Sequence, residues 1–308
     1  MHFNEYLKSC REQGALTQEK LVHDLYSYDI DNFKGLDTNT LSKWERNITK
    51  PKITKQVSII KYFQNHTGLA LPYWNHFSIK EAEALICKAG MYNLLGENKQ
   101  LVLNFPSETI SVDDMHVYPL RSFERMDTLL DINMDLHKNA NHEYAQISIE
   151  QFREWALYPS NLFLVCEYKN TILGLFFSIR LKPEVFNKIL NFEMKKSDIT
   201  LDDFASFDEM GSNYMLSFYA LNSKCATMLF IRYYAHLIAN QKNIAEIGVV
   251  TALDEVKKVV GNMNLAYYTN KITDDNTEIQ AYRQTLPNVL ASDNFVKMIL
   301  SKHDCPEE

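Results

Sequence analysis

Four short apolar stripes of helical period, each bounded by a cap or stop residue, occupy the first 68 residues and commit that stretch to a small helical bundle. Phe3, Tyr6, Leu7 and Cys10 lie on one helical face, and Gly14 follows as a stop that tolerates positive φ. Thr17 is placed to cap a second helix whose buried side carries Leu21, Val22 and Leu25. The period then breaks from Tyr26 to Leu36, which predicts a loop ending past Gly35. Asp37 or Thr38 caps a third helix with Leu41, Trp44 and Ile48 on one face. Pro51 opens a fourth, at a first-turn position where its missing N–H costs nothing. Ile53, Val57, Ile60 and Phe63 give that helix its stripe, and Gly68 ends it.

Charge sets this segment apart from the rest. The whole chain carries a net −7, yet residues 1–70 hold ten Lys/Arg against eight Asp/Glu, and the remainder 22 against 31. Lys43, Arg46, Lys50, Lys52, Lys55 and Lys61 cluster with only Glu45 to oppose them. A basic cluster on an acidic body is an electrostatic footprint for phosphate. Gly14-Ala15-Leu16-Thr17-Gln18-Glu19-Lys20-Leu21 and Thr40-Leu41-Ser42-Lys43-Trp44-Glu45-Arg46, followed by Pro51, resemble the lambda-repressor-like, XRE-type helix-turn-helix family over residues 3–67. The resemblance implies that Gln18 begins the helix lying across the DNA backbone. It implies that Thr38, Asn39, Thr40, Ser42 and Lys43 face the major groove, and that Arg46, Lys50 and Lys52 reach phosphates. Those residue types suit base-edge and phosphate contacts. The family also pairs the position of Glu45 with an arginine of the first helix, here Arg11. The connection Tyr26–Gly35 is longer than the family's tight turn.

Ser78-Ile79-Lys80-Glu81 fits a capping box and opens a helix over 78–95 within a connector, residues 71–111. Leu101–Phe105 reads as a strand. From about residue 112 the pattern becomes mixed α/β. Met115–Leu120 reads as a strand, Phe123–His137 as a helix, and Ser148 as the start of another. Leu162–Tyr168 and Thr171–Arg180 flank Lys169-Asn170 as a β-hairpin. After a polar stretch, 184–212, come strand Tyr214–Ala220, helix Thr227–Ala239, strand Ala245–Val250, helix Leu253–Val260 and strand Leu265–Thr269. This order, with the phrase Asn161–Tyr168 … Ile172-Leu173-Gly174, resembles the GNAT acyltransferase fold. The expected architecture is therefore multidomain: an all-α helix-turn-helix domain at 1–70, the connector, an α/β GNAT-like domain with a mixed central sheet at 112–302, and a tail at 303–308.

GNAT enzymes hold the coenzyme A pyrophosphate on amides at a helix N-terminus, through a loop whose glycines admit the phosphates. The matching turn here is Asn222-Ser223-Lys224-Cys225-Ala226-Thr227, with neither glycine present. Cys225 reads as a small residue in glycine's place; the alternative is a reactive thiol whose pKa a helix N-terminus depresses. Lys257 or Lys258 stands where the family often has a proton-donating Tyr, and no carboxylate singles itself out as a base. His137 and His142 lack metal-ligand spacing, and the five cysteines lack a C-x-x-C pair. No apolar run approaches the length of a membrane span, and no signal peptide is apparent. These readings give a cytoplasmic, dimeric regulator. Its first domain binds a double-stranded DNA operator, and its second senses a small molecule or acyl ligand, acyl-coenzyme A among the candidates, with no cofactor required and no catalytic residue assigned. The alternative is an acyl-coenzyme A-dependent N-acyltransferase targeted or autoregulated through its helix-turn-helix.

Overall fold

Each stripe at the N-terminus forms a helix in the computed structural model, which describes residues 2–74, 76–86, 90–91, 95, 114–120, 126, 128–129, 147–274 and 276–300. Helix α1, Phe3–Gln13, buries Phe3, Tyr6, Leu7 and Cys10. Gly14 closes it with φ −76°, so positive φ is not its role. A Cβ there would stand 3.1 Å from both Cys10 O and Tyr73 Oη, and close approach is what the glycine provides. Ala15 takes the positive φ instead, at 52°. Thr17 caps α2, Gln18–Tyr28, through Lys20 N–H, and Asp37 caps α4, Thr38–Glu45, through Thr40 N–H.

The expected loop at 26–36 is largely helical. Helix α2 runs on to Tyr28, and a one-turn helix α3, Ile30–Phe33, follows. Asp29 caps α3 by accepting from Asn32 N–H, Ser58 donates to the same carboxylate at 2.6 Å, and Phe33 is fully buried. A cap, a tether and a core anchor thus replace the missing period. Pro51 precedes α5, Ile53–Thr67, by two residues rather than opening it, and Lys52 holds the N-cap position. Its buried face carries Ile59, Ile60, Tyr62 and Phe63, while Ile48, expected beside Leu41 and Trp44, is 58% exposed. Gly68 ends α5 at φ 68°. The capping box of Ser78 and Glu81 opens α6, Ile79–Leu85, which is shorter than the 78–95 expected because Ile86 turns extended. The remainder of that helix, strand 101–105, most of helix 123–137, His137, His142 and the tail lie wholly or partly outside the described residues.

The sheet has seven strands among the described residues: β1 Met115–Pro119, β2 Leu162–Tyr168, β3 Thr171–Leu181, β4 Gly211–Ala220, β5 Ile244–Thr251, β6 Ala266–Ile272 and β7 Glu278–Thr285. Their order is β1-β2-β3-β4-β5-β7-β6. All neighbours are antiparallel except β4 and β5, which run parallel. Helix α7, Ile149–Leu157, precedes β2, and α9, Ser223–Ala239, crosses from β4 to β5. Helix α10 is Asp254–Asn262. The 184–212 stretch is not merely polar. Pro183 begins helix α8, Pro183–Leu190, which buries Val185, Phe186, Ile189 and Leu190. The sheet is covered on both faces, which is why Phe176 and Phe177 are both buried although adjacent strand residues point oppositely. Phe177 meets Phe163 and Phe152, while Phe176 meets Phe218 and Phe230 of α9.

The internal contacts divide the chain into two compact units that interleave along the sequence. One comprises Met1–Leu94, Tyr233–Lys242 and Leu286–Glu308; the other, Leu95–Arg232 and Asn243–Thr285. In the first, α12, Asp293–Leu300, packs on α5, and Gln64 donates to Pro287 O. The short α11, Leu286–Leu290, precedes it. No helix among the described residues is long and apolar enough to cross a membrane.

Candidate functional sites

In the helical unit one buried carboxylate gathers three elements. Glu45, 7% exposed at the end of α4, accepts from Arg11 Nε at 2.5 Å, from Arg11 Nη2 at 3.1 Å and from Gln18 Nε2 at 2.7 Å. Arg11 Nη1 also donates to Leu16 O, so the α1–α2 turn joins the lock. The hydrogen bond to Glu45 holds the guanidinium pKa above its ordinary value. The Arg11–Glu45 pair implied by the family resemblance is present. Gln18 sits at the head of α2 as expected, but its amide is engaged by Glu45.

Of the remaining candidate DNA contacts, Thr38, Asn39, Arg46, Lys50 and Lys52 are exposed, and Thr40, Ser42 and Lys43 are half-buried. The first-turn residues Thr38 and Asn39 lie one turn from Ser42 and Lys43, so α4 brings these four onto one side. Arg46 folds back, its Nε donating to Ser42 O. Leu41 and Trp44 point inward as core, and the Lys55 ammonium lies 5.8 Å over the Trp44 ring.

In the sheet unit the notable geometry is between β4 and β5. The pair begins at Gly211–Ile244 and its register ends at Tyr214–Gly248, although the strands run on to Ala220 and Thr251. Beyond that point Met215 and Ser217–Ala220 pair with β3. The β3–β4 register shifts there, Ser178 facing Met215 and Phe177 facing Ser217, which makes Leu216 a bulge residue. Past Tyr214–Gly248 the two parallel strands are no longer paired with each other. Gly248 marks the fork: a Cβ there would stand 2.6 Å from the Phe186 ring of α8.

The turn after β4 is a capped helix start. Helix α9 starts at Ser223, not Thr227, because Asn222 caps it: Asn222 Oδ1 accepts from Cys225 N–H at 2.8 Å, and Asn222 O from Ala226 N–H. Of Asn222–Thr227, only Ser223 and Lys224 are even half-exposed. Cys225 is fully buried. Its Sγ fills the space beside Gly174, where a Cβ would come within 2.6 Å of it. Burial and the neighbouring Cys166 push the Cys225 thiol well above its ordinary pKa, so the depressed value expected at a helix N-terminus does not occur. Two buried polar atoms at this turn, Asn222 Nδ2 and Thr227 Oγ1, have no protein partner. Lys257 is paired with Asp254 at 2.8 Å on α10. No cluster of three metal-ligating side chains occurs among the described residues.

No family model matches this chain, and no curated protein matches it in sequence. Solved structures do. An N-acetyltransferase from Staphylococcus aureus Mu50 is 14% identical, with 56% of this chain and 98% of that one covered and a TM-score of 0.39. FeeM, an N-acyl amino acid synthase from uncultured soil microbes, is 10% identical over 57% and 92%, with a TM-score of 0.40. The AHL synthase LasI is 12% identical over 57% and 93%, with a TM-score of 0.38. The mixed seven-strand sheet with flanking helices among the described residues is consistent with the GNAT-like α/β domain expected from the sequence.

Proposed function

We propose that the sheet unit transfers an acyl group from a pantetheine thioester, acyl-coenzyme A being the simplest, to an amine. The parting of β4 from β5 beyond Tyr214–Gly248 carries this reading. A strand edge without a partner strand offers alternating N–H and C=O groups to the amides of an extended ligand. N–H groups fixed in that way also polarise a thioester carbonyl and stabilise the charge that grows on its oxygen. The amine nitrogen attacks the carbonyl carbon, a C–N bond forms and the C–S bond breaks. Sulfur leaves with the bonding pair and takes up the proton that the amine gives up. Incubation with acyl-coenzyme A of varied chain length and a panel of primary amines should release free thiol in step with amide, detected by mass spectrometry. Absence of amine-dependent thiol release with every donor, including pantetheine thioesters lacking the nucleotide, would remove the reading.

A second reading concerns the helical unit: it binds double-stranded DNA through α4. What supports it is the lock of Arg11, Gln18 and Glu45, which fixes α2 against α4, together with exposed Thr38 and Asn39 and the basic run from Lys43 to Lys52. Two such readers on a two-fold dimer meet half-sites about one helical turn apart. Binding should weaken steeply with salt. Asn39→Ala should blur sequence preference, whereas Lys50→Ala should weaken all sequences alike. A flat salt response removes this reading and leaves the first untouched.

A further inference from the structure

We infer that the helical unit pairs with the same unit of a second copy of this chain, across the groove between α3 and α5. The contact supplies a two-fold for the DNA reading but does not rest on it, because association is measured without DNA. The end of α2 and the one-turn α3 form one wall and α5 the other, with a groove of about 600 Å³ between them. The hydrogen bond from Ser58 to Asp29 ties the two walls together at its floor. Phe33 anchors α3 in the core, whereas Ile30 is left 54% exposed and Tyr28 39% exposed on the same wall. Val57 lies half-buried on the α5 side.

Charge decides the occupant. Asp31 and Lys61 line the groove from opposite walls and are exposed, yet neither makes an ion pair or a side-chain hydrogen bond among the described residues. Asp29, the other carboxylate in the groove, is already engaged by Asn32 and Ser58. An acidic or a basic foreign segment would satisfy one wall and leave the charge on the other unpaired. A second copy satisfies both. A two-fold axis lays a surface on itself, so that residue i meets residue j of the partner and j meets i. Asp31 of each copy then meets Lys61 of the other, and the contact occurs twice in each dimer. Exposed ion pairs contribute little affinity, so these charges fix the orientation. The apolar rim supplies the affinity: Ile30 stands out from α3 and enters the partner's groove over Val57, and both leave water.

The test follows the mass of the full chain by sedimentation over a range of concentrations. The wild type should dimerise with a Kd of about 1–100 µM, in keeping with a small contact surface. Asp31→Lys and Lys61→Glu should each raise Kd at least about tenfold, because each sets like charges face to face at both contacts. Mixing these two variants should restore association, since every reversed charge then meets its opposite across the axis. Ile30→Ser, which leaves the charges alone, should weaken the dimer as well. A chain that stays monomeric up to about 1 mM would overturn the inference. So would an unchanged Kd for Ile30→Ser, or a mixture of the two folded charge variants that stays monomeric.

Discussion

Glu45 shows how much one side chain can organise. Its carboxylate is 7% exposed and satisfied by donors from α1 and α2, so removing either partner of the ion pair strands the other. Breaking a buried pair from one side costs several kcal/mol. Arg11→Ala should lower the stability of the helical unit by about 2–4 kcal/mol, read from the urea midpoint of its unfolding. An unshifted midpoint would mean the lock is idle. Asp29 gives a pH-dependent counterpart. The Asn32 side chain and then the Ser58 hydroxyl, with a lesser part from the Asn32 N–H, hold its carboxyl below the ordinary carboxylate range against the opposing effect of burial. A pKa depressed by folding contributes stability above the unfolded value, and that contribution is lost as pH falls through the folded value. The stability difference between the wild type and Asp29→Asn should therefore be constant above about pH 5 and shrink below about pH 4. A difference that is constant down to acid unfolding would contradict the assignment.

At the scale of elements, two glycines let helices seat on the sheet beside the proposed site. A Cβ on Gly248 would come 2.6 Å from the Phe186 ring of α8, at the point where β4 and β5 part. Gly248→Ala should destabilise the sheet unit by about 1–3 kcal/mol through overpacking, and Phe186→Leu should recover much of that loss in the double variant. Additive losses would show that the two residues do not meet. At Gly174 a Cβ would meet both Cys225 Sγ and the Tyr219 carbonyl at 2.6 Å. Gly174→Ala should therefore be rescued only in part by Cys225→Ala, because the backbone contact remains; complete rescue would place the strain on the thiol alone.

The whole molecule is not a string of consecutive domains. The contacts assign Tyr233–Lys242 and Leu286–Glu308 to the unit that begins the chain. Tyr234 packs its ring 5.8 Å from Phe295, α12 lies on α5, and Gln241 accepts from Leu71 N–H. A fragment ending at Leu94 should accordingly lack part of its core. Its thermal melt, followed by circular dichroism, should be broad or absent where the full chain shows a cooperative transition. A cooperative melt for the fragment would mean the later segments are dispensable.

What the sequence determined by itself was local. Caps at Thr17, Asp37, Ser78 and Ser148, the hairpin at Lys169-Asn170, and the alternation of short elements from residue 148 onward are fixed by neighbours within a few positions. The Arg11–Glu45 pair was legible only through resemblance to a family. Helix α8 carried a signal that was missed, Pro183 ahead of Val185, Phe186, Ile189 and Leu190. So did β7, where Ile279 and Ala281 alternate with polar residues. Helix α3 was less visible, because its anchor Phe33 and its tether Ser58 act across the bundle and leave no periodic trace. The features on which the proposed chemistry depends were decided by tertiary structure alone. Where β4 leaves β5 depends on a bulge and on Phe186 meeting Gly248, and how the head of α9 seats against β3 depends on Cys225 meeting Gly174 fifty-one residues away. Packing between distant residues sets both, and a sequence read along its length contains no record of which side chain fills which glycine's space.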